Sequence, residues 1–186
     1  CRDPEIAHWI YRLPTPYTFA DAERFVAGAR RTLVSGEQVR LAVADQASSE
    51  LLGSVSLEPS WQLELAEVGY WVKREARRRG VATAAARLVI RWAFEELGFE
   101  RLELATYPGN VTSQRLAESL GFRREGLLRG VLPVDPGKDR SGRVDPPSEG
   151  ALPPRDALLL AETLPPRDDQ VVYGLLELDW RAALRG

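Results

Sequence analysis

The chain has 186 residues, of which 44% are hydrophobic and 28% are charged, a composition typical of one compact domain with its own core. Its net charge of -2 argues against a protein devoted to nucleic acid, because such proteins usually carry an overall basic balance. With 1 cysteine and 1 histidine, it supports neither an internal disulfide, nor a thiolate metal cluster, nor a Ser-His triad. We therefore predict no metal cofactor.

No apolar run approaches the roughly 18 residues that a membrane span needs, and no signal-peptide pattern opens the chain. We expect a soluble, cytoplasmic protein without a membrane partner. The sequence begins with Cys1 and contains no methionine, so we also expect that its true start is missing and that an N-terminal strand is missing with it.

Two helices are predicted first. Residues 3–10 have the pattern of the end of a short helix, which the prolines that follow would break. Thr18 is a candidate cap for a longer helix over 20–31, and Gly36 is a stop signal after it.

Three strands are predicted next. The runs Val39–Ala44 and Leu51–Leu57, joined by a polar turn, predict a hairpin. A third strand is predicted over Leu63–Val72. Alternation along it places on one face Leu65, Glu67, Gly69 and Trp71.

A basic loop, residues 77–82, lies between the third strand and a helix predicted over Ala82–Leu97. A helix opening leaves backbone N–H groups without intrahelical partners, and the helix dipole adds positive charge, so an anion such as a phosphate is favoured there. Gly80 lets the backbone bend tightly. The alternative is a solvated basic turn, because arginine supplies almost all basic residues of this chain and clusters of it can arise by chance.

The second half predicts a strand over Arg101–Thr106 and a helix over Val111–Leu120, an order typical of an α/β unit with neighbouring parallel strands. Residues 133–154 are rich in Pro, Gly, Asp, Ser and Arg, and they predict a mobile insertion. Closing strands are predicted over 157–164 and 171–178, and they could pair across a homodimer. Without a second core-sized segment, we predict a single domain over 1–186.

Three motifs, in their order and spacing, resemble the GCN5-related N-acetyltransferase (GNAT) superfamily, closest to its RimJ/RimL-like branch, which acetylates ribosomal-protein N-termini. They are Gly-Tyr-Trp-Val at 69–72, Arg-Arg-Arg-Gly-Val-Ala at 77–82 and Asn-Val-Thr-Ser-Gln-Arg-Leu-Ala-Glu-Ser-Leu-Gly-Phe at 110–122. The resemblance implies an α/β (α+β) fold: a mixed, mostly antiparallel central sheet with a splayed parallel strand pair and flanking helices.

It also implies that acetyl-CoA lies where the third strand splays from the strand at 101–106, with its pyrophosphate on the backbone amides of 78–82. The pantetheine arm would run beside Trp71 and Val72, Asn110 would bond it or shape the turn, and Ser113 would approach the thiol end. The candidate cofactor-binding residues are therefore Trp71, Val72, Arg77, Arg78, Arg79, Gly80, Val81, Ala82, Asn110 and Ser113.

The implied reaction is direct attack of a primary amine on the thioester in a ternary complex, the amine belonging to a protein N-terminus, a peptide or a small molecule. Such an amine is largely protonated at neutral pH, so a base must take a proton. Glu67 is the candidate catalytic base, with Glu64 as a weaker alternative. Ser113 is the candidate proton donor to the departing thiolate, and a backbone N–H near Val72 is the candidate donor to the oxyanion.

Purely structural interpretations, without a role in catalysis or binding, stay open for the same residues. Glu67 could be a solvated carboxylate on an edge strand, Asn110 a helix cap, and Ser113 a solvated residue of a first helical turn. Tyr70 and Trp71 are predicted as core or cleft wall. At the level of function, the alternative is a catalytically silent acyl-CoA-binding or interaction module. Nucleic-acid binding, resting only on Arg74 and the loop arginines, is a distant third.

Overall fold

A computed structural model describes residues 3–14, 16–133 and 167–185. Its helices and strands alternate along the chain much as predicted. In chain order they are α1 (Pro4–Trp9), α2 (Phe19–Ser35), β1 (Val39–Ala44), β2 (Leu51–Ser60), β3 (Leu65–Val72), α3 (Val81–Glu95), β4 (Arg101–Thr106), α4 (Val111–Ser119), β5 (Arg123–Pro133), β6 (Arg167–Leu176) and α5 (Glu177–Ala183). Two short 3-10 turns, Trp61–Leu63 and Arg74–Ala76, flank β3.

The strands of the described residues form one six-stranded sheet in the order β1-β2-β3-β4-β6-β5. Four neighbouring pairs are antiparallel, and β3 with β4 is the parallel pair. The helix α3 makes the crossover between the two parallel strands, as a parallel connection requires. The predicted fold class, a mostly antiparallel mixed sheet with one parallel pair and flanking helices, is confirmed.

The parallel pair is short and then opens. Its register covers only Leu65 opposite Arg101, Ala66 opposite Leu102, and Glu67 opposite Glu103. Beyond Glu67, β3 stays paired with β2 through Val72, but it has no described strand on its other side. The two strands therefore diverge towards their carboxyl ends, and the gap between them opens at Glu67.

One face of the sheet carries the core. The buried side chains of α3 recur at helical spacing, which gives the helix a continuous apolar stripe against β2 and β3. They are Ala85, Ala86, Val89, Ile90, Ala93 and Phe94. On β4, Leu102 and Leu104 are fully buried in the same cluster, while Glu103 and Ala105 alternate to the opposite face.

The ends of α2 are set by its caps. The Thr18 hydroxyl accepts the N–H of Asp21 while the Asp21 carboxylate accepts the N–H of Thr18, so the predicted cap is confirmed as a full capping box. The helix runs from Phe19 to Ser35, longer than predicted. Gly36 ends it in the left-handed region at φ 72°, where glycine lacks the Cβ penalty.

Four strand limits were predicted wrongly. β2 ends at Ser60 and not at Leu57, and the last strand begins at Arg167 and not at Val171. β3 begins at Leu65 and not at Leu63, because residues 61–63 form a 3-10 turn that the Trp61 indole anchors by donating to the Gly36 carbonyl at 2.7 Å. The last strand ends at Leu176, and Leu178 lies in α5. The Glu177 N–H still donates to the Glu100 carbonyl at 3.0 Å, which continues the register of β4 with the last strand by one position, and the helix begins at this residue.

The insertion predicted over 133–154 was placed one residue too early, because Pro133 is still the last residue of β5. Residues 134–154 and the strand predicted over 157–164 lie outside the described residues. Within the part of the chain that is described, no helix is both long and apolar enough to span a lipid bilayer. In the same part, no three His, Cys, Asp or Glu side chains are grouped so that they could hold a metal ion.

Candidate active site

A tyrosine from β3 and a serine from α4 meet across the gap between the diverging strands. The Tyr70 hydroxyl and Ser113 Oγ lie 2.7 Å apart, a distance typical of a good O–H···O hydrogen bond. Burial raises the pKa of the Tyr70 phenol, although its bond to Ser113 acts in the opposite direction. The phenol is therefore protonated at neutral pH, and either of the two hydroxyls can donate the hydrogen bond between them.

Ser113 is placed by the opening of its own helix. Asn110 is the N-cap of α4, and its side-chain oxygen accepts the Ser113 N–H at 3.1 Å. The turn before it is closed by a bond from the Asn110 N–H to the Tyr107 carbonyl at 3.0 Å. The structure thus shows Asn110 as a helix cap, and the cap turns Ser113 towards Tyr70.

The basic loop has the backbone of an anion site. Arg78 and Gly80 both take positive φ values, 58° and 76°, and Gly80 opens α3 without any side-chain cap. The first intrahelical bond is donated by Ala84 to the Gly80 carbonyl, so the N–H groups of residues 81–83 have no acceptor within the helix. A Cβ built at Gly80 would have no heavy atom within 4 Å, which shows that the space over the loop is open.

The three loop arginines have different surroundings. Arg77 is half-buried, its guanidinium forms ion pairs with Asp3 and Glu5, and its Nε donates to the Val72 carbonyl at 3.2 Å. Arg78 and Arg79 are exposed, and neither has an ion pair with a described residue. The structure therefore separates one anchored arginine from two that face solvent.

The backbone of Trp71 and Val72 leads from the gap to this loop. On one side, Val72 pairs with Gly53 and Trp71 with Ser54 of β2. The approach at Gly53 is close, because a Cβ there would lie 2.3 Å from the Trp71 carbonyl oxygen. On the other side, the edge of 68–72 is unpaired among the described strands, so it can accept an extended ligand as an added strand.

Glu67 lies at the point where the parallel pairing ends, on the face opposite the core. Its surroundings raise the pKa of its carboxyl: desolvation contributes most, then the negative charges of Glu58 and Glu103, while Arg12 opposes the shift. The residue as a whole is exposed to solvent, yet neighbouring protein atoms surround its carboxylate and partly desolvate it. No described residue forms a hydrogen bond or ion pair with it.

An open cavity of about 420 Å³ borders Glu67 on this face. Its lining residues are Glu67, Glu103, Ala105, Glu125, Gly126, Leu128, Gln170 and Val172. Two of its carboxylates form ion pairs with the single guanidinium of Arg101, which contacts Glu125 and, at 2.9 Å, Glu103. Glu67 is thus the carboxylate of this wall that is left to bind a cation or take a proton. Glu64, the weaker candidate, precedes β3 and lies at the end of that strand remote from Val72.

The N-terminal segment lies beside the same opening. The Trp9 ring packs against Tyr107, with ring centroids 6.0 Å apart, and against Gly109 in the turn before α4. Burial, followed by the charges of Asp168 and Tyr11, raises the pKa of Tyr107 to about 12. Since Arg12 is near enough to act on Glu67, the segment extends from the basic loop to the cavity.

Residues 1–123 match the family model described as an acetyltransferase (GNAT) domain. The chain belongs to the GNAT acetyltransferase family. This confirms the resemblance that its three motifs carry.

Curated proteins that are similar in sequence to this GNAT chain are also named as N-acetyltransferases. YdaF of Bacillus subtilis (strain 168), whose name assigns it provisionally to ribosomal N-acetylation, is 40% identical over 86 residues, which are 46% of this chain and 47% of YdaF. YjcK of the same organism, named as an N-acetyltransferase, is 30% identical over 115 residues, 61% of this chain and 64% of YjcK. The chain thus spans about half to two thirds of the length of these curated relatives.

Solved structures share the fold of this GNAT chain. A GCN5-related N-acetyltransferase from Brucella melitensis has a TM-score of 0.71 and 25% identity, over 99% of this chain and 69% of that chain. Mycobacterium smegmatis RimJ, solved in complex with CoA-disulfide, has a TM-score of 0.69 and 19% identity, over 97% of this chain and 78% of that chain.

Sequence reasoning on this GNAT chain missed the role of Tyr70, which was predicted as core or cleft wall. Strand alternation places Tyr70 on the face of Ala66 and Val68, and it does not show that the phenol reaches a helix 43 residues further on.

Proposed function

We propose that this chain is an N-acetyltransferase that moves the acetyl group of acetyl-CoA to a primary amine. The observation that carries the proposal is the free edge of β3 at 68–72, which leads directly to the uncapped opening of α3. One extended ligand with a phosphate at its end matches both features, since the strand edge offers backbone hydrogen bonds and the helix opening favours an anion. Membership of the GNAT family supports this donor.

The residues present fit acetyl-CoA. Backbone N–H groups of 78–82 would hold the pyrophosphate, with the exposed Arg78 and Arg79 adding charge, and Trp71 and Val72 would border the pantetheine arm. Ala82 is small enough to leave the loop open, and Val81 opens the helix beside it. Asn110 holds Ser113 at the other wall of the gap. When bound, acetyl-CoA supplies the activated thioester.

Two groups of this chain move the protons. Glu67, as general base, takes the proton of the amine directly or through water, and its raised pKa brings it closer to that task at neutral pH. Ser113 would give its proton to the departing thiolate while it takes the proton of the Tyr70 hydroxyl to which it is bonded, and Tyr70 would regain a proton from solvent. Glu67 lies on β3 and Ser113 on α4, so the base and the acid stand on the two walls of the gap, as direct transfer in a ternary complex requires.

The amine is proposed as a protein N-terminus, a peptide or a small molecule. YdaF is named for ribosomal N-acetylation, so peptides with the N-terminal sequences of ribosomal proteins are the first acceptors to test. We further propose that the chain acts as a single cytoplasmic domain, and sedimentation of the purified protein decides between monomer and homodimer.

The proposal is tested by release of free CoA thiol from acetyl-CoA with a panel of peptides, amines and aminoglycosides, alongside calorimetric titration with CoA. We expect saturable binding and thiol release that depends on one acceptor class. Tight binding of CoA without release for any acceptor would instead support the silent module. Failure to bind CoA at all would reject both functions.

A further inference from the structure

Arg77 is the first residue of the basic loop, yet the described partners of its guanidinium lie outside that loop, in the segment before α1, in α1 and at the end of β3. It contacts Asp3 Oδ2 at 2.5 Å and the Glu5 carboxylate, and its Nε donates to the Val72 carbonyl. Three elements therefore meet on one side chain: helix α1, the end of β3 and the loop before α3. Arginine suits this role because its planar fork can bind two carboxylates and a carbonyl together.

The carboxylate at the centre of this network has two tasks. Asp3 caps α1 by accepting the Glu5 N–H at 3.0 Å, and it accepts from Arg77 and, at 3.4 Å, from Arg74. Burial raises the pKa of Asp3, but the Glu5 N–H and the two guanidiniums outweigh it, and the pKa is lowered overall. The carboxylate is thus ionised at neutral pH and holds α1 on the loop.

The segment that begins with α1 reaches the part of the gap near Glu67, the proposed base, which we call the acceptor side because the amine would meet the base there. Six residues after Asp3, Trp9 packs on Tyr107 and Gly109 at the carboxyl end of β4, and Arg12 lies within electrostatic reach of Glu67. A displacement of α1 would move the Trp9 ring away from Tyr107 and Gly109, because the helix is short and carries Trp9 at its last position.

We propose that Arg77 is a positioning residue that joins the acceptor-side segment, residues 3–12, to the backbone of the phosphate-binding loop. Arg77 thereby sets two half-sites at once: the N–H groups that hold the donor, and the wall made by Trp9 and Arg12. The inference rests on the proposed function. It differs from direct phosphate binding by Arg77, which would involve the donor alone.

The test uses Asp3→Asn, because asparagine caps a helix as well as aspartate does but removes the charge that Arg77 binds. Arg77→Lys keeps the positive charge but loses the planar guanidinium, which can donate to several acceptors at once. The control is Arg181→Gln, which removes a surface ion pair with Glu177 in α5. Melting temperature is measured for each variant to confirm folding, and Glu5→Gln replaces Asp3→Asn should the latter fail to fold.

We expect Asp3→Asn and Arg77→Lys each to raise both KM for acetyl-CoA and KM for the amine by roughly tenfold, the loss typical of one charge-assisted hydrogen bond. The kcat should stay within about twofold, because neither residue touches the reacting atoms. The double variant should be no worse than the single ones, since both break the same link. Arg181→Gln should leave all constants unchanged.

Two results would overturn the inference in an active enzyme. Direct phosphate binding predicts that Arg77→Lys raises KM for acetyl-CoA alone, and that Asp3→Asn leaves this KM unchanged or lowers it by freeing Arg77. Additive effects in the double variant would also reject the link. A wild-type protein that binds CoA but acetylates nothing defeats the proposed function instead, and the CoA dissociation constants of the same variants then test the link to the loop.

Discussion

Glu67 shows how one carboxylate is set apart from its neighbours at the scale of single residues. Arg101 forms ion pairs with Glu125 and Glu103, and Gln38 donates to Glu58 at 2.5 Å, whereas Glu67 has no such partner among the described residues. Desolvation, followed by the negative charges of Glu58 and Glu103, raises the pKa of this carboxyl, so it binds a proton more readily than a free glutamate does. That property is useful in a base that must take a proton near neutral pH.

We predict that Glu67→Gln lowers kcat by about 100-fold to 1,000-fold, as expected for loss of a general base. In the wild type, kcat/KM should fall as pH drops through the raised pKa of Glu67, because only the ionised form accepts a proton. Glu58→Gln is the matched control: it lies opposite Glu67 in the β2-β3 register and removes one repelling charge. It should move the acid limb to lower pH without lowering the plateau.

The hydrogen bond between Tyr70 and Ser113 leads to a second prediction. Ser113→Ala should lower kcat and cost about 1 kcal/mol of stability, because it leaves a half-buried phenol without its partner. Tyr70→Phe should lower kcat as well, and the double variant should match the worse single one if the two hydroxyls act as a unit. Thermal melting and steady-state rates measure both effects, and strictly additive losses in kcat would contradict a shared role.

At the scale of elements, the loop 77–82 depends on the conformation of Gly80 and not on its size. No atom lies within 4 Å of the position of a Cβ there, yet φ is 76°. The cost of a side chain is therefore backbone strain, about 1 to 2 kcal/mol for most residues and less for asparagine.

We predict that Gly80→Val weakens CoA binding and stability together, because relief of the strain turns the N–H groups of 81–83 away from their shared direction. Gly80→Asn is the comparison, since asparagine tolerates the left-handed region. It should retain most of the affinity in calorimetric titration. Equal losses for both variants would indicate that bulk over the loop matters more than backbone geometry.

For the whole molecule, the lowered carboxyl pKa values predict acid sensitivity. The bond from Arg101 lowers the pKa of Glu125, and the Thr18 hydroxyl lowers that of Asp21. A lowered folded-state pKa contributes stability that is present above the unfolded value, near 4, and is lost as pH falls through the lowered value. We therefore expect the melting temperature to fall below about pH 4.

Glu125→Gln should make this fall less steep, because one of the groups that must be protonated is removed. Thermal melting in buffers from about pH 6 to pH 2 measures the slope. The raised pKa of Glu67 has the opposite effect on stability. Above that pKa it disfavours the folded state, so Glu67→Gln should not destabilise the protein at neutral pH. A large loss of melting temperature in Glu67→Gln at pH 7 would contradict this assignment.

Local rules predicted the elements well. β1 and β4 have the predicted limits, and the helices after Thr18 and Asn110 begin where these caps place them. The error at Leu63 comes from a contact with a distant segment, that of Trp61 with Gly36. An apolar pattern alone cannot show that such a bond will turn the chain out of the sheet.

The sequence by itself determined the order of strands and helices, the three motifs and hence the family, because caps, periodicity and glycine positions act within a few residues. Only the tertiary structure decided how the candidate site is assembled. The parallel pairing stops at Glu67, Tyr70 meets Ser113 across 43 residues, and Arg77 meets Asp3 across 74. These contacts depend on how the sheet opens and on which charged groups the fold brings together, and no local pattern contains that information.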